Sequence, residues 1–265
     1  MDGSMEMVKN TEKDDDRLFV SSVDKAFKVL EAFGTDRRDL GLVEIIERTG
    51  LNKSAAQRFT HTLHRLGYLE KDMSSRRYML SHRVLESANS FLRVDPLVNK
   101  AIPHIVELRR QLNVRIGLGC LHGLNVMYLI PLQSNQAAFR TAHPGFQIPL
   151  YCTTTGRVLL AYRKPEEARA IIERCERTKI TPTTITDTDA IMTEINNVRN
   201  QGYCITDQEI RIGDINLAAP VFDGRGNAIA AVAAACLRNE FSRKDMETKV
   251  APLVIETARA ISTDG

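Results

Sequence analysis

The side chains with the clearest chemical purpose lie in the segment KSAAQRFTHTLHRLG, which begins at Lys53. Wound as a helix, it gathers Ala56, Phe59, Leu63 and Leu66 on one face and turns Ser54, Gln57, Arg58, His61 and Arg65 to the other. That outer face has no carboxylate. An Arg guanidinium matches the paired acceptors on a guanine edge, and a Gln amide matches the edge of an adenine, so Gln57, Arg58 and His61 are the candidates for reading bases. Lys53 and Ser54 stand at the helix start, where unpaired backbone amides attract a phosphate. Ser22, Arg76 and Arg77 complete the set expected at the DNA backbone and groove. A polar helix stripe alone is usually only a solvated surface, so the surrounding elements decide.

Before it, apolar residues at 23, 26, 27, 30 and 33 mark a first helix buried on that face, with Ser21 or Ser22 as N-cap and Gly34 as its stop. TDRRDLG reads as a polar loop. Leu42, Val43, Ile45 and Ile46 give a short second helix ending at Gly50, and Asn52 caps the third, which runs to about Leu66. Tyr68–Lys71 and Arg77–Leu80 then read as strands around the turn DMSSR. Two helices joined through a Gly turn, the second of them basic, followed by a hairpin, predict a winged helix-turn-helix over residues 20–80. The net charge of +3 argues for no partner by itself, but Arg17 to Arg83 holds thirteen Lys and Arg against eight Asp and Glu, a local basic excess over the segment that carries the helices and hairpin. Residues 1–19 read as a polar, disordered tail.

A linking helix is expected over 81–94, and Asp95-Pro96 starts another that runs to about Leu112 and bends at Pro103. VRIGLGCLHGLNVMYLI reads as a hairpin turning near His122 to Asn125. Strands follow near Ala137–Thr141, Gly202–Asp207, Ile215–Phe222 and Ala228–Leu237, with helices over Thr153–Tyr162, Pro165–Arg177, Asp187–Gln201 and Ser242–Ile261. The fold class is therefore two domains: a helix-rich winged helix-turn-helix and, over 95–263, an α+β domain with an antiparallel sheet. A chain of 265 residues, 43% hydrophobic and 26% charged, has the material for both.

Three other chemistries could use these residues. Cys152 with His143 offers a thiol nucleophile and base, but no orienting third group or nucleophile motif accompanies them, so an enzyme is not expected. Six scattered histidines and no paired-Cys spacing give no metal site, and no cofactor is expected. A winged helix used for protein contact would carry an apolar or acidic outer face, and this one is basic. Five dispersed cysteines fit a reducing cytoplasm. The chain has no apolar run near the roughly 20 residues of a membrane span, and membrane contact is not expected.

The segment LVEIIERTGLNKSAAQRFTHTLHRLGYLEKDMSSRRYML resembles the DNA-binding domain of IclR-type transcription regulators in its Gly-Leu turn, Lys-Ser helix start, Arg four residues after that Ser, and terminal Leu-x-x-x-Gly. Ala55 stands where that family has Thr. The resemblance extends from Val20 to Ser262 through TTTGRVLLAY, GYCITDQEIRIGDINLAAPVFD and GNAIAAVAAACL. It implies a GAF-like second domain that senses a small organic acid, a double-stranded operator as partner, and a homodimer or a dimer of dimers acting as repressor or activator. Thr153, Thr154 and Thr155 before Gly156 suit a helix N-terminus that would dock a carboxylate, with Gly156 allowing close approach and Arg157 beside it. Thr206 and Asn216 would supply further hydrogen bonds. Ala233 and Ala235 stand where the family often has hydroxyls, which predicts a less polar pocket suited to an aromatic or longer acid.

Overall fold

A computed structural model describes residues 18–34, 37–132 and 143–263. The strand expected at Ala137–Thr141 and all but the end of the expected tail lie outside them. The N-terminal unit contains α1 (Ser21–Glu31), β1 (Asp39–Leu40), α2 (Leu42–Thr49), α3 (Lys53–Arg65), β2 (Leu69–Lys71) and β3 (Tyr78–Leu80). Val29, Leu40, Ile45, Leu63, Leu69 and Tyr78 form its core. At the end of α2, Gly50 adopts the left-handed conformation (φ 68°), which turns the chain toward α3 without the penalty a Cβ would bring. Asn52 then caps α3, accepting the Ala55 N–H at 2.9 Å.

Several expectations are corrected. The segment read as a polar loop contains β1, which pairs with β3 (Leu40 opposite Tyr78) in a three-stranded antiparallel sheet ordered β1-β3-β2. Two residues are too few for alternation to show. Neither Ser21 nor Ser22 caps α1: the helix begins at Ser21, Val20 holds the cap position, and no side chain makes a capping bond. Val23 and Phe27 are exposed, and Val29 is the buried residue of that helix. On α3, Leu66 is exposed and Thr60 is buried instead. Thr60 tolerates burial because its hydroxyl donates to the Ala56 carbonyl one turn back, at 2.8 Å.

Helix α4 (Val84–Val94) follows, and the division between the two compact units falls within it, between Phe91 and Leu92. In the second unit Asp95 caps α5 (Pro96–Leu112), accepting the Val98 N–H at 2.8 Å. The helix continues unbroken through Pro103, which is exposed, so water can satisfy the carbonyl that the proline leaves without a donor. Next come β4 (Arg115–His122), β5 (Asn125–Leu132), β6 (Gln147–Pro149), α6 (Thr154–Ala161), α7 (Pro165–Arg174), α8 (Thr188–Gln201), β7 (Cys204–Asp207), β8 (Asp214–Phe222) and β9 (Ala228–Leu237). The chain closes with α9 (Arg243–Asp245), a π-helical turn (Met246–Val250) and α10 (Ala251–Ile261). The sequence pattern predicts neither the short β6 nor the π turn. Pro252, with no N–H for the usual bond four residues back, follows the widened turn, in which the Ala251 N–H reaches Met246 O five residues back.

The six strands form one antiparallel sheet ordered β6-β5-β4-β9-β8-β7. Because side chains alternate across a sheet, Ile116, Leu118, Leu217, Val232 and Ala234 pack on one face with α5 and α10. The opposite face, carrying Ala218, Ala231 and Ala233, packs with α6 and α8. Arg115, Ala235, Asn216 and Thr206 lie side by side across β4, β9, β8 and β7 as one row of that second face.

Candidate nucleic-acid interface and ligand cavity

Ser54, Gln57, Arg58, His61 and Arg65 are all exposed on α3, and Lys53 is exposed at its first turn. Nothing acidic lies on the helix, so the charge its outer face presents is positive only. Arg76 is exposed at the tip of the β2–β3 wing in a left-handed conformation (φ 58°). Within that turn Asp72 accepts from Ser74 Oγ at 2.6 Å and Ser75 Oγ at 2.8 Å, and these bonds pull its carboxyl down to about 2. Ser22 is exposed in the first turn of α1.

Arg77 departs from the expectation of a phosphate contact. Its Nε donates to Asp39 Oδ1 at 2.9 Å and a terminal nitrogen donates to Glu44 Oε2 at 2.7 Å. The same Glu44 oxygen accepts the Gly41 N–H at 2.7 Å, and that amide first, then Arg77, holds the Glu44 carboxyl below its ordinary range against the effect of burial. Arg77 therefore ties the wing to β1 and to the start of α2. It sets where Arg76 stands, and its charge is already paired.

The second unit holds a cavity of about 460 Å³ on the α6 face of the sheet. Its floor is low because Gly117, Ala233 and Ala235 are small, and Tyr128, Phe146 and Ile148 stand around it. The Tyr128 ring lies where a Cβ on Gly117 would come within 2.9 Å of it. Of the predicted residues, Thr206, Asn216, Ala233 and Ala235 line the cavity, together with Thr153 and Thr154. Thr206 is 2% exposed, and among the described residues its Oγ1 has no hydrogen-bond partner.

Thr155, Gly156 and Arg157 are not on the cavity wall. Gly156 is required for a different reason: a Cβ there would sit 2.1 Å from the Leu150 carbonyl oxygen, so this glycine lets two backbones touch and does not face a ligand. Arg157 is fully buried and makes two bonds to Glu209, at 2.6 and 2.7 Å, while its Nε donates to Tyr151 O at 3.1 Å. It is a structural tie. Thr155 packs its methyl near Gly119.

Three charged lining residues escaped the sequence reading: Arg115, Arg211 and Asp214. Arg211 bonds Asp214 at 2.9 and 2.6 Å, and Arg115 approaches the same carboxylate at 3.8 Å. Burial pulls the Arg115 guanidinium below its ordinary range, with Asp214 opposing. An i,i+3 Arg/Asp spacing was visible in RIGD, but the alignment of Arg115 with it depends on strand register. Cys152 is buried, its Sγ 3.8 Å from Pro149 O, and burial pushes the thiol up to about 12, which leaves no thiolate for nucleophilic attack at neutral pH.

A basic-faced winged helix-turn-helix followed by a cavity-bearing α+β unit defines a DNA-binding transcription regulator. The description "IclR helix-turn-helix domain" matches residues 22–73, and "Bacterial transcriptional regulator IclR C-terminal" matches residues 89–263. The chain belongs to the IclR family of transcription regulators. It is similar to the HTH-type transcriptional regulator KdgR of Escherichia coli, with 33% identity over 92% of this chain and 92% of that one. It is likewise similar to the p-hydroxybenzoate hydroxylase transcriptional activator of Acinetobacter baylyi, with 31% identity over 92% of this chain and 91% of that one. The crystal structure of an IclR transcriptional regulator from Alicyclobacillus acidocaldarius superposes with a TM-score of 0.81 at 25% identity, covering 92% and 98% of the two chains. Among the described residues no helix is long and apolar enough to cross a membrane.

Proposed function

We propose that this regulator acts in the cytoplasm as a homodimer that reads an operator through α3 and the wing, without turnover of its own, and answers to a small aromatic carboxylic acid held in the second unit. The observation that carries the ligand assignment is the cavity itself: a space of about 460 Å³ with a floor of Gly117, Ala233 and Ala235, aromatic and aliphatic walls at Tyr128, Phe146 and Ile148, and Thr, Asn, Arg and Asp side chains in its lining. The first amides of a helix lack intrahelical acceptors; Thr153 Oγ1 takes that of Gly156 at 3.0 Å, which leaves that of Thr154, a cavity-lining residue, for a carboxylate. Thr206 and Asn216 serve the remaining polar groups of the ligand, and Tyr128 and Phe146 flank the ring. The relative named for p-hydroxybenzoate hydroxylase agrees with a ligand of this class. Titration with benzoate-type acids should show binding and raise the melting temperature by mass action. Tighter binding of glyoxylate or pyruvate than of every aromatic acid would remove this reading.

For DNA, Gln57, Arg58 and His61 take base edges, while Lys53, Ser54, Ser22 and Arg76 take phosphate and groove. Arg58→Ala should cost about 1–3 kcal/mol on the operator and relax specificity, whereas Lys53→Ala should weaken all duplexes alike. Competition against random duplex tests this, and equal losses on both DNAs for Arg58→Ala would reassign that residue to the backbone.

One recognition helix reads few base pairs, so useful affinity calls for two copies on two half-sites. Val20, Val23 and Phe27 form an exposed apolar stripe along α1 at helical spacing, which fits contact with a second copy. Phe27→Glu is expected to shift the protein toward monomer in sedimentation velocity and to weaken operator binding; an unchanged dimer would place the interface elsewhere. Ligand control requires that the acid bind one arrangement of the dimer better than another.

A further inference from the structure

Apart from Leu18 at the start of the described residues, Met73 is the most exposed large apolar side chain among them, at 82%. It stands at the tip of the β2–β3 wing, in a loop, Met73 to Arg76, that is exposed throughout. A lone surface methionine needs no explanation by itself, so the way the loop holds this one is what matters. The Asp72 N–H donates to Arg77 O at 2.9 Å and the Arg76 N–H donates to Asp72 O at 2.8 Å, closing the turn. The Asp72 carboxylate accepts the Ser74 N–H at 2.8 Å and the hydroxyls of Ser74 and Ser75 at 2.6 and 2.8 Å. These donors engage the carboxylate from within the loop, and the exposed charge beside Met73 is that of Arg76. Arg76 holds the left-handed conformation (φ 58°) that a glycine would adopt without strain, so the turn keeps a cation at a backbone cost. The wing is also fixed relative to the recognition helix, because Leu69 of β2 and Leu63 of α3 share one core. Four residues beyond Leu69, Met73 lies up to about 13 Å out at roughly 3.3 Å per residue. A minor groove opens about half a helical turn, roughly 17 Å, from the centre of the major groove that α3 enters, and the Met73 side chain makes up the difference.

We infer that Met73 is an apolar wedge that enters the minor groove beside the α3 site and partly unstacks one base step, with Arg76 seated in the groove next to it. The thioether chain is unbranched and slim enough to start between base planes. Pyrimidine–purine steps unstack most readily, so the wedge selects such a step without a hydrogen bond to any base. A loop already closed by its own bonds loses little further freedom on binding. The inference rests on the DNA reading above and adds a contact that distorts the duplex.

Selection of duplexes from a random-sequence library by the full chain, followed by 2-aminopurine substitution of the flanking adenines one at a time, tests it. Wild type should enrich a pyrimidine–purine step at a fixed distance outside the bases that α3 contacts, and 2-aminopurine at that step should brighten on binding as it unstacks. Met73→Ala should abolish the brightening and bind the selected duplex about tenfold more weakly. Met73→Leu, which keeps an apolar wedge, should retain both. Met73 is exposed, so neither variant disturbs the core. If Met73→Ala brightens and binds as wild type does, or if wild type binds with no brightening at any flanking position, the wedge is overturned and the DNA reading stands. Weaker binding by Met73→Ala together with a shift toward monomer in sedimentation velocity would assign Met73 to contact between copies and overturn the wedge as well. A wild-type chain that enriches no sequence at all would overturn both.

Discussion

Glu209→Ala should destabilise the second unit by about 3–5 kcal/mol in denaturant melts, because it strands the fully buried guanidinium of Arg157 without its counter-charge. Loss of the carboxylate also removes the acceptor of the Ile185 N–H, bonded at 3.0 Å. Thr181 and Thr184 both donate to backbone carbonyls at positions 208 and 209, so the same point anchors the segment before α8. A buried pair is not by itself a stabiliser relative to apolar groups that fill the same space. The double variant Arg157→Met/Glu209→Leu should therefore recover much of what the single variant loses. The ligand cavity should suffer in both, since Ile210 and Arg211 follow directly on Glu209 and Thr153 and Thr154 lie just before Arg157. A single variant that melts within about 1 kcal/mol of wild type would show that solvent reaches the guanidinium and that α6 is held by other contacts.

Gly156→Ala should be comparably damaging, although it adds a single methyl group. The new carbon would lie 2.1 Å from the Leu150 carbonyl oxygen and 2.7 Å from its carbon. No side chain can rotate away from that contact, because the obstacle is backbone, so α6 or the β6–α6 connection must shift as a unit. Overpacking usually costs about 1–3 kcal/mol, and a backbone obstacle places this case at or above the upper end. Gly119→Ala is the informative comparison. Its new carbon would press on Val126 and Thr155 side-chain carbons, at 3.0 and 3.1 Å, and meet the Met127 carbonyl oxygen at an ordinary contact distance of 3.6 Å, so small adjustments suffice. Thermal melts of the two variants should separate clearly; equal midpoints would mean that α6 moves more freely than its packing implies.

What the sequence revealed and concealed follows from how local each feature is. The α3 outer face, the Asn52 cap, the Gly50 turn and the hairpin at Gly123 are encoded within a few residues of one another, and each was legible. Thr206, Asn216, Ala233 and Ala235 come from the family resemblance, and the register of β7, β8 and β9 puts them on one face. Misreadings occurred where meaning depends on distant partners. Arg77 looked like a free cation beside Arg76 until the fold brought Asp39 and Glu44 to it. Arg157 and Gly156 sit in a motif that reads as a ligand-binding helix start, yet Glu209 and Leu150, remote or backbone partners, account for them. Arg115 joined the cavity only through the register of β4, β9 and β8. Apolar periodicity on α1 predicts a buried face, yet Val23 and Phe27 are exposed and Val29 is buried, because periodicity alone does not say which side of a short helix meets the core.

Strand β9 carries Ala at 233 and 235, and Gly117 faces it from β4, so the cavity owes its volume to side chains that are missing. The ladder that holds these strands together runs through backbone groups and is largely indifferent to what those positions carry. Ala233 and Ala235 are thus dials that evolution or an engineer can turn one substituent at a time, trading space for a new wall or a hydroxyl, while the DNA-reading unit encoded elsewhere in the chain is left as it was; Gly117 is not, since a Cβ there would press on the Tyr128 ring at 2.9 Å. A family of sensors with different appetites and a common output is the natural product of that arrangement.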